Sequence, residues 1–318
     1  MKKKIFIAGE TGMLGSAIKE KLLKNNILIS RKRKKLDLLN QSKVLNFFKK
    51  NKIDEVYICA AKVGGIYANS NFPANFIYEN LQITTNIIHA AYLTNVKKVL
   101  YFGSSCIYPK ANRPIMEKDL LEGPLEKTNE PYAIAKIAGL KLCQAYAHQY
   151  DMDIRVIIPN NLYGPGDNYD SKNSHVVAAL IKKIHDAKTK NLKSVSLWGT
   201  GKPQREFLYV SDCASYSIRI MSMSKKKFQK ITNFENLINL GSNQELSIKN
   251  LSSVISKVIN YRGKILFNLN ILDGVYRKKL NLKKQMSIGL KKITSIKIGI
   301  KFAYKDFLKK NNLKENFK

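Results

Sequence analysis

Acidic residues are scarce: 23 Asp and Glu stand against 56 Lys and Arg in 318 residues, a formal charge of +33. That imbalance does not make the chain a disordered polycation, because 44% of it is apolar and 9% aromatic. The excess is also poor in arginine. Only eight basic residues are Arg, and the Lys comes with abundant Asn and Ile, a pattern AT-rich coding DNA produces without a selected role. No run approaches the roughly 18 apolar residues of a membrane span. The apolar stretch from Ile5 stops at Gly9-Glu10, short of the roughly 7 to 15 residues of a signal-peptide core. Cys59, Cys106, Cys143 and Cys213 are widely spaced and form no CxxC pair. Neither a metal site nor a disulfide framework is expected, and a reducing cytoplasm is. No recognition helix or nucleic-acid motif gathers the basic residues, so neither nucleic acid nor membrane is expected as a partner.

What is present is alternation. Short apolar runs at Lys4–Ala8, Ile27–Ser30, Val56–Ala60, Val99–Phe102 and Arg155–Ile158 are separated by amphipathic stretches such as Met13–Asn25 and Ser42–Asn51. Strands divided by helices imply a parallel sheet with helices on both faces. The fold class predicted is α/β, a Rossmann-type doubly wound parallel sheet with a smaller mixed α/β C-terminal lobe. The expected boundaries give residues 1–165 to the sheet domain, with a return at about 205–242, and 166–204 and 243–318 to the lobe. Further helices are expected at Ser174–Ala187, Asp212–Met223 and Ile248–Ile259.

Two constellations carry chemistry. Gly9-Glu10-Thr11-Gly12-Met13-Leu14-Gly15 follows the first strand and opens the first helix, where glycines permit a sharp turn, close approach of a pyrophosphate and tight helix packing. The second strand ends not in an acid for a ribose hydroxyl but in Ser30-Arg31-Lys32-Arg33. Arg31 and Arg33 suit a 2′-phosphate, which makes NADP(H) the expected cofactor. In Asn129-Glu130-Pro131-Tyr132-Ala133-Ile134-Ala135-Lys136, Tyr132 and Lys136 share a helical face, and an adjacent ammonium is expected to lower the phenol's pKa for proton transfer. Ser104, after a core strand, is placed to meet a substrate oxygen.

These motifs together resemble the extended short-chain dehydrogenase/reductase superfamily. The segments Gly103-Ser104-Ser105-Cys106-Ile107-Tyr108-Pro109, Thr128–Gly139, Asn160–Pro165, Asn173-Ser174-His175-Val176 and Trp198–Leu208 further resemble the GDP-L-fucose synthase family. That resemblance implies 3,5-epimerisation and 4-keto reduction of a GDP-6-deoxyhexose, with Tyr132 as proton donor to the C4 oxygen, Lys136 as its partner on the nicotinamide ribose, and Ser104 bonding the C4 oxygen. Cys106 and His175 match the family's base and acid for epimerisation. The cofactor would also meet Phe102, Gly103, Ser104 and Ser105 after one strand, Pro159, Asn160, Asn161 and Leu162 after another, and His175. Lys183, Trp198, Arg205 and Asp273 would contact the GDP-sugar, and a homodimer would form through segments such as Phe76–Thr94 and Tyr132–Tyr150. A plain 4-reductase would need neither Cys106 nor His175, a 4-epimerase would retain NAD, and a 4,6-dehydratase would want a carboxylate pair near Ser104.

Overall fold

Runs that are apolar at every position belong in a sheet covered on both faces. The computed structural model, which describes residues 2–29, 35–170, 174–269, 276–290 and 293–313, puts them there. In chain order the elements are β1 (Lys4–Ala8), α1 (Met13–Leu22), β2 (Ile27–Ile29), α2 (Gln41–Asn51), β3 (Glu55–Ile58), α3 (Ile66–Asn71), α4 (Pro73–Leu93), β4 (Lys98–Phe102), α5 (Glu130–Gln149) and β5 (Ile154–Pro159). There follow β6 (Asn161–Tyr163), α6 (Val176–Thr189), β7 (Ser194–Trp198), β8 (Gln204–Tyr209), α7 (Val210–Ser222), α8 (Lys225–Ile231), β9 (Leu237–Leu240), β10 (Glu245–Ser247), α9 (Ile248–Ile259), β11 (Lys264–Asn268), β12 (Arg277–Lys278), α10 (Lys283–Ser287) and α11 (Ile296–Lys310).

Six of the strands form one parallel sheet in the order β2-β1-β3-β4-β5-β9. The chain steps outward from β1 to β2 and then returns to the other side of β1 as β3, which opens a crevice at the carboxyl ends of β1 and β3. Alternation along each strand feeds two cores. Val99 and Tyr101 of β4 pack with Phe48 of α2, Ile87 of α4 and Leu140 of α5. Leu100 and Phe102 pack on the opposite face with Ile18 of α1 and Tyr216 of α7.

A second assembly lies beyond the carboxyl end of this sheet. β8 pairs with β6, β10 and β12, β7 pairs with β11, and α6, α9 and α11 bury Ile181, Ile255 and Ile300 against them. The smaller mixed α/β lobe is therefore present.

Three local differences from expectation have simple causes. The expected strand to Ala60 ends at Ile58, because the Cys59 amide donates its last ladder bond to Ala8 and the backbone at Ala60 then crosses Gly9. α1 stops at Leu22, where the Asn26 side chain takes over the free carbonyl at 3.1 Å. Arg155, inside an apolar strand run, is fully buried: Asp153 binds it at 2.8 and 2.7 Å, and it donates to the carbonyls of Ile220 and Met223 at the end of α7.

Candidate active site

The glycine loop is fixed by contacts that admit no side chain. Gly9 has φ of +82°, and a Cβ there would lie 2.7 Å from the Ala60 nitrogen, while one at Gly15 would run into the Gly9 carbonyl. Gly12 caps α1 without any side-chain bond, and no acid stands in the first turn of the helix. Glu10, the acid of the loop, is buried and turned to the Lys19 ammonium at 2.8 Å. An uncapped helix N-terminus whose neighbouring carboxylate is already paired fits a pyrophosphate. Thr11 is exposed beside it, and Met13 and Leu14 are half-buried, with Gly166 lying over Met13. Arg31 and Arg33 lie outside the described residues.

At the end of β4 the Gly103 amide still bonds to the Ile157 carbonyl at 2.9 Å, and a Cβ there would strike the Ile158 side chain. The chain then leaves the sheet in extended form at Ser104, whose hydroxyl caps a short turn over Ser105–Ile107 by accepting from the Cys106 amide at 3.5 Å. Pro131 starts α5 and brings Tyr132 and Lys136 over this turn. Tyr132 is influenced by the Ser104 hydroxyl and meets Phe76 edge-on at 6.1 Å. The Lys136 ammonium is buried, donates to the Phe102 carbonyl at 2.9 Å, and stands 5.9 Å from the Tyr132 ring.

The electrostatics differ from expectation in one respect. Burial holds the Tyr132 phenol above its ordinary range, with Cys106 adding to the rise, and the opposing influence is the Ser104 hydroxyl, not Lys136. Lys136 has its own cost to bear: burial brings its pKa down to about 8. Burial likewise pushes the Cys106 thiol up, opposed first by Lys278, then by Ser104 and Lys136.

Lys278 is a site residue that sequence reading did not single out. It lies on β12 in register with Arg205 of β8, and burial lowers its pKa while Cys106 raises it. In the sequence it is one of three consecutive basic residues, Arg277, Lys278 and Lys279, and nothing local separates it from them.

The remaining expected residues divide. β5 ends at Pro159, and the side chains of Asn160 and Asn161 are committed to β8: Asn160 donates to the Glu206 carboxylate at 2.6 Å and Asn161 to the Glu206 carbonyl at 2.9 Å. These two asparagines therefore shape the loop before half-buried Leu162. Ser105 is buried beneath the Ser104 turn. His175 is exposed at the N-cap of α6 and interacts electrostatically with buried Asp167, whereas the cations acting on Cys106 are Lys278 and Lys136. Its neighbour Ser174 has its carbonyl against Gly65.

Farther out, an open groove of about 460 Å³ is lined by Lys183, Asp186, Lys190, Ser194, Ser196, Trp198 and Asn268. Trp198 is 67% exposed, so it is not core packing, and the Lys183 ammonium sits 5.4 Å from its ring centre. Arg205 donates to the Gln204 carbonyl at 2.8 Å beside β12. Asp273 lies outside the described residues. Among the described residues the buried side-chain polar atoms without a partner are Asn69 Oδ1, Asn129 Oδ1 and Ser174 Oγ. Asn129 precedes Tyr132 by one turn and Ser174 precedes His175, places where a polyhydroxylated ligand would satisfy them.

Residues 5–234 match the NAD dependent epimerase/dehydratase family. The GDP-L-fucose synthase of Escherichia coli (strain K12) is 45% identical over 311 residues, 96% of this chain and 97% of that one. Among solved structures, a GDP-6-OMe-4-keto-L-xylo-heptose reductase from C. jejuni superposes with a TM-score of 0.90 at 34% identity, covering 98% and 99% of the two chains. A GDP-L-fucose synthetase from Naegleria fowleri bound to NADP gives 0.87 at 27% identity, covering 98% and 96%.

Proposed function

The chain belongs to the NAD dependent epimerase/dehydratase family, and to the GDP-L-fucose synthases within it, and from that membership we propose that it converts GDP-4-dehydro-6-deoxy-D-mannose to GDP-L-fucose. The conversion is 3,5-epimerisation followed by reduction of the 4-ketone. NADP(H) is the cofactor, in keeping with the NADP in the Naegleria relative and with arginines, not an acid, after β2. When bound, NADPH supplies a hydride to C4.

The chain's own residues do the rest. The carbons flanking the ketone carry acidic protons, so Cys106 as base on one face and His175 as acid on the other invert C3 and C5 through an enolate. Lys278 and Lys136 favour the thiolate that burial opposes. Tyr132, whose ionised form the Ser104 hydroxyl favours, gives its proton to the C4 oxygen, and Ser104 steadies that oxygen. Lys136 holds the nicotinamide ribose and gains an anionic partner when the phenol ionises. The loop from Gly9 to Gly15 receives the pyrophosphate, and Arg31 and Arg33 receive the 2′-phosphate. Phe102, Gly103 and Ser105, with the segment from Pro159 to Leu162, border the nicotinamide. Trp198, Lys183, Arg205 and Asp273 hold the GDP moiety. Residues 1–165 with the return at 205–242 form the cofactor unit in this reading, and 166–204 with 243–318 the substrate lobe.

The observation that carries the proposal is the thiol of Cys106 beside Ser104, Tyr132 and two ammonium groups, a group that reduction alone does not require. We also read the protein as a cytoplasmic homodimer joined through α4 and α5. Tyr92 and Tyr150 stack at 4.1 Å on their outer side, with Leu93 and Tyr150 exposed, and the cysteines are free. Among the described residues no helix is long and apolar enough to cross a membrane. The test is NADPH consumption with GDP-4-keto-6-deoxymannose and identification of the product by NMR. GDP-L-fucose supports the reading, whereas no turnover, or turnover only of a GDP-heptose ketone, would move the chain to a different GDP-sugar.

A further inference from the structure

Glu206, on β8, is fully buried, yet its carboxylate has no cation for a partner among the described residues. It accepts from the Asn160 side chain at 2.6 Å, the Asn243 amide at 2.6 Å and the Leu280 amide at 3.3 Å. Three N–H donors converge on its two oxygens and favour the ionised form, against burial, which raises its pKa. A buried anion held only by neutral N–H groups is expensive to maintain. Its partners also come from three separate parts of the chain. Asn160 stands beside the loop after β5, Asn243 follows β9, and Leu280 lies two residues beyond Lys278. β12 has only two residues, both paired with β8, and the chain just beyond it is tied to Glu206 at Leu280 and to Ile115 at Lys279 and Asn281. A Cβ at Gly241 would strike the carboxylate, which shows how closely the chain is drawn around it.

We propose that Glu206 is a positioning residue for the epimerisation half of the reaction, acting by holding the Lys278 strand against Cys106. The inference rests on the epimerase reading of Cys106 given above. The titratable groups facing Cys106 are Lys278 from β12, Lys136 and Tyr132 from α5, and Tyr101 from β4. Through the Leu280 amide, Glu206 is one of the groups that place the first of these. Replacing it by Gln puts an NH₂ group where an acceptor stood, so at least one of the Asn160, Asn243 and Leu280 donors loses its bond and the network around the end of β12 is loosened.

The experiment is a double-mutant cycle on full-length protein with Glu206→Gln, Lys278→Met and the pair. Alkylation of Cys106 by iodoacetamide is followed against pH, resolved from Cys59 by peptide mass, without substrate. Each single variant is expected to move the alkylation midpoint up by about 0.5 to 1 pH unit, and the pair no further than Lys278→Met alone. Solvent-deuterium exchange at C3 and C5 of the GDP-keto sugar should fall about tenfold or more in Glu206→Gln, while reduction of the pre-epimerised ketone falls less than about threefold. An unmoved midpoint, additive shifts in the pair, or equal loss of exchange and reduction would overturn the proposal. Should Glu206→Gln fail to fold, Glu206→Asp, which keeps the charge and shortens the reach, takes its place in the same cycle. If the wild type exchanges no deuterium, the substrate reading has failed, and the alkylation cycle still decides the role of Glu206.

Discussion

Replacing Lys136 by Met should separate stability from activity, with opposite signs for the two. Burial carries the Lys136 pKa from an ordinary 10.5 to about 8. At about 1.4 kcal/mol per unit, keeping the ammonium charged at pH 7 costs the folded chain on the order of 3 kcal/mol. Met removes that cost but also removes the donor to the Phe102 carbonyl, a loss of about 1 to 3 kcal/mol. The variant should therefore be as stable as the wild type at pH 7, or up to about 2 kcal/mol more stable. The pH dependence has a definite sign. Because the folded pKa is depressed, the unfolded chain binds the extra proton between about 8 and 10.5, so wild-type stability gains from Lys136 as pH rises through that window and the penalty is fully present below it. Urea unfolding of both proteins from pH 7 to 10.5, compared as differences so that other groups cancel, should show the wild type gaining about 3 kcal/mol on the variant. NADPH turnover by the variant should fall by roughly 10² to 10⁴. A difference that stays flat with pH, or a variant several kcal/mol weaker at pH 7, would refute the reasoning and make the ammonium a net stabiliser.

Cys106→Ser should abolish solvent-deuterium exchange at C3 and C5 while a pre-epimerised ketone is still reduced; unchanged exchange in an NMR time course would exclude the thiol as the base. Trp198→Ala should alter unfolding free energy by no more than about 0.5 kcal/mol, since the ring is exposed. The same change should raise the KM for the GDP-sugar about 5- to 10-fold through loss of the stacking surface and its cation–π contact, and an unchanged KM would remove Trp198 from the substrate site. Asp153→Ala leaves the Arg155 guanidinium buried without its carboxylate, so urea unfolding should register a loss of about 3 to 5 kcal/mol.

Local chemistry was legible from the sequence and long-range return was not. The strand at Lys4–Ala8, the helix at Ile248–Ile259 and the turn at Ser104 follow from runs, periods and glycines that lie within a few residues of one another. Tyr132 and Lys136 could be paired because a helical turn brings them together. Lys278 and Glu206 gave no such sign. Lys278 meets Cys106 only because β12 comes back to β8, some 70 residues along the chain from its partner strand, and Glu206 is one acid inside a β-strand whose partners arrive from three segments. Trp198 depends on register. β7 buries alternate residues, with Val195 and Leu197 inward, so a single register step decides whether the indole is core or groove. The expected effect of Lys136 on Tyr132 was also indirect: the spacing was right, but the ammonium bonds to the Phe102 carbonyl.

In the proposed function one site both inverts two carbons and reduces a third. Incubating the protein with GDP-4-keto-6-deoxymannose and NADPH in D₂O, then reading the product by NMR, tests it directly. GDP-L-fucose carrying solvent deuterium at both C3 and C5 is the expected product. A GDP-6-deoxyhexose reduced at C4 but unlabelled at those carbons, and still of D configuration, would contradict it.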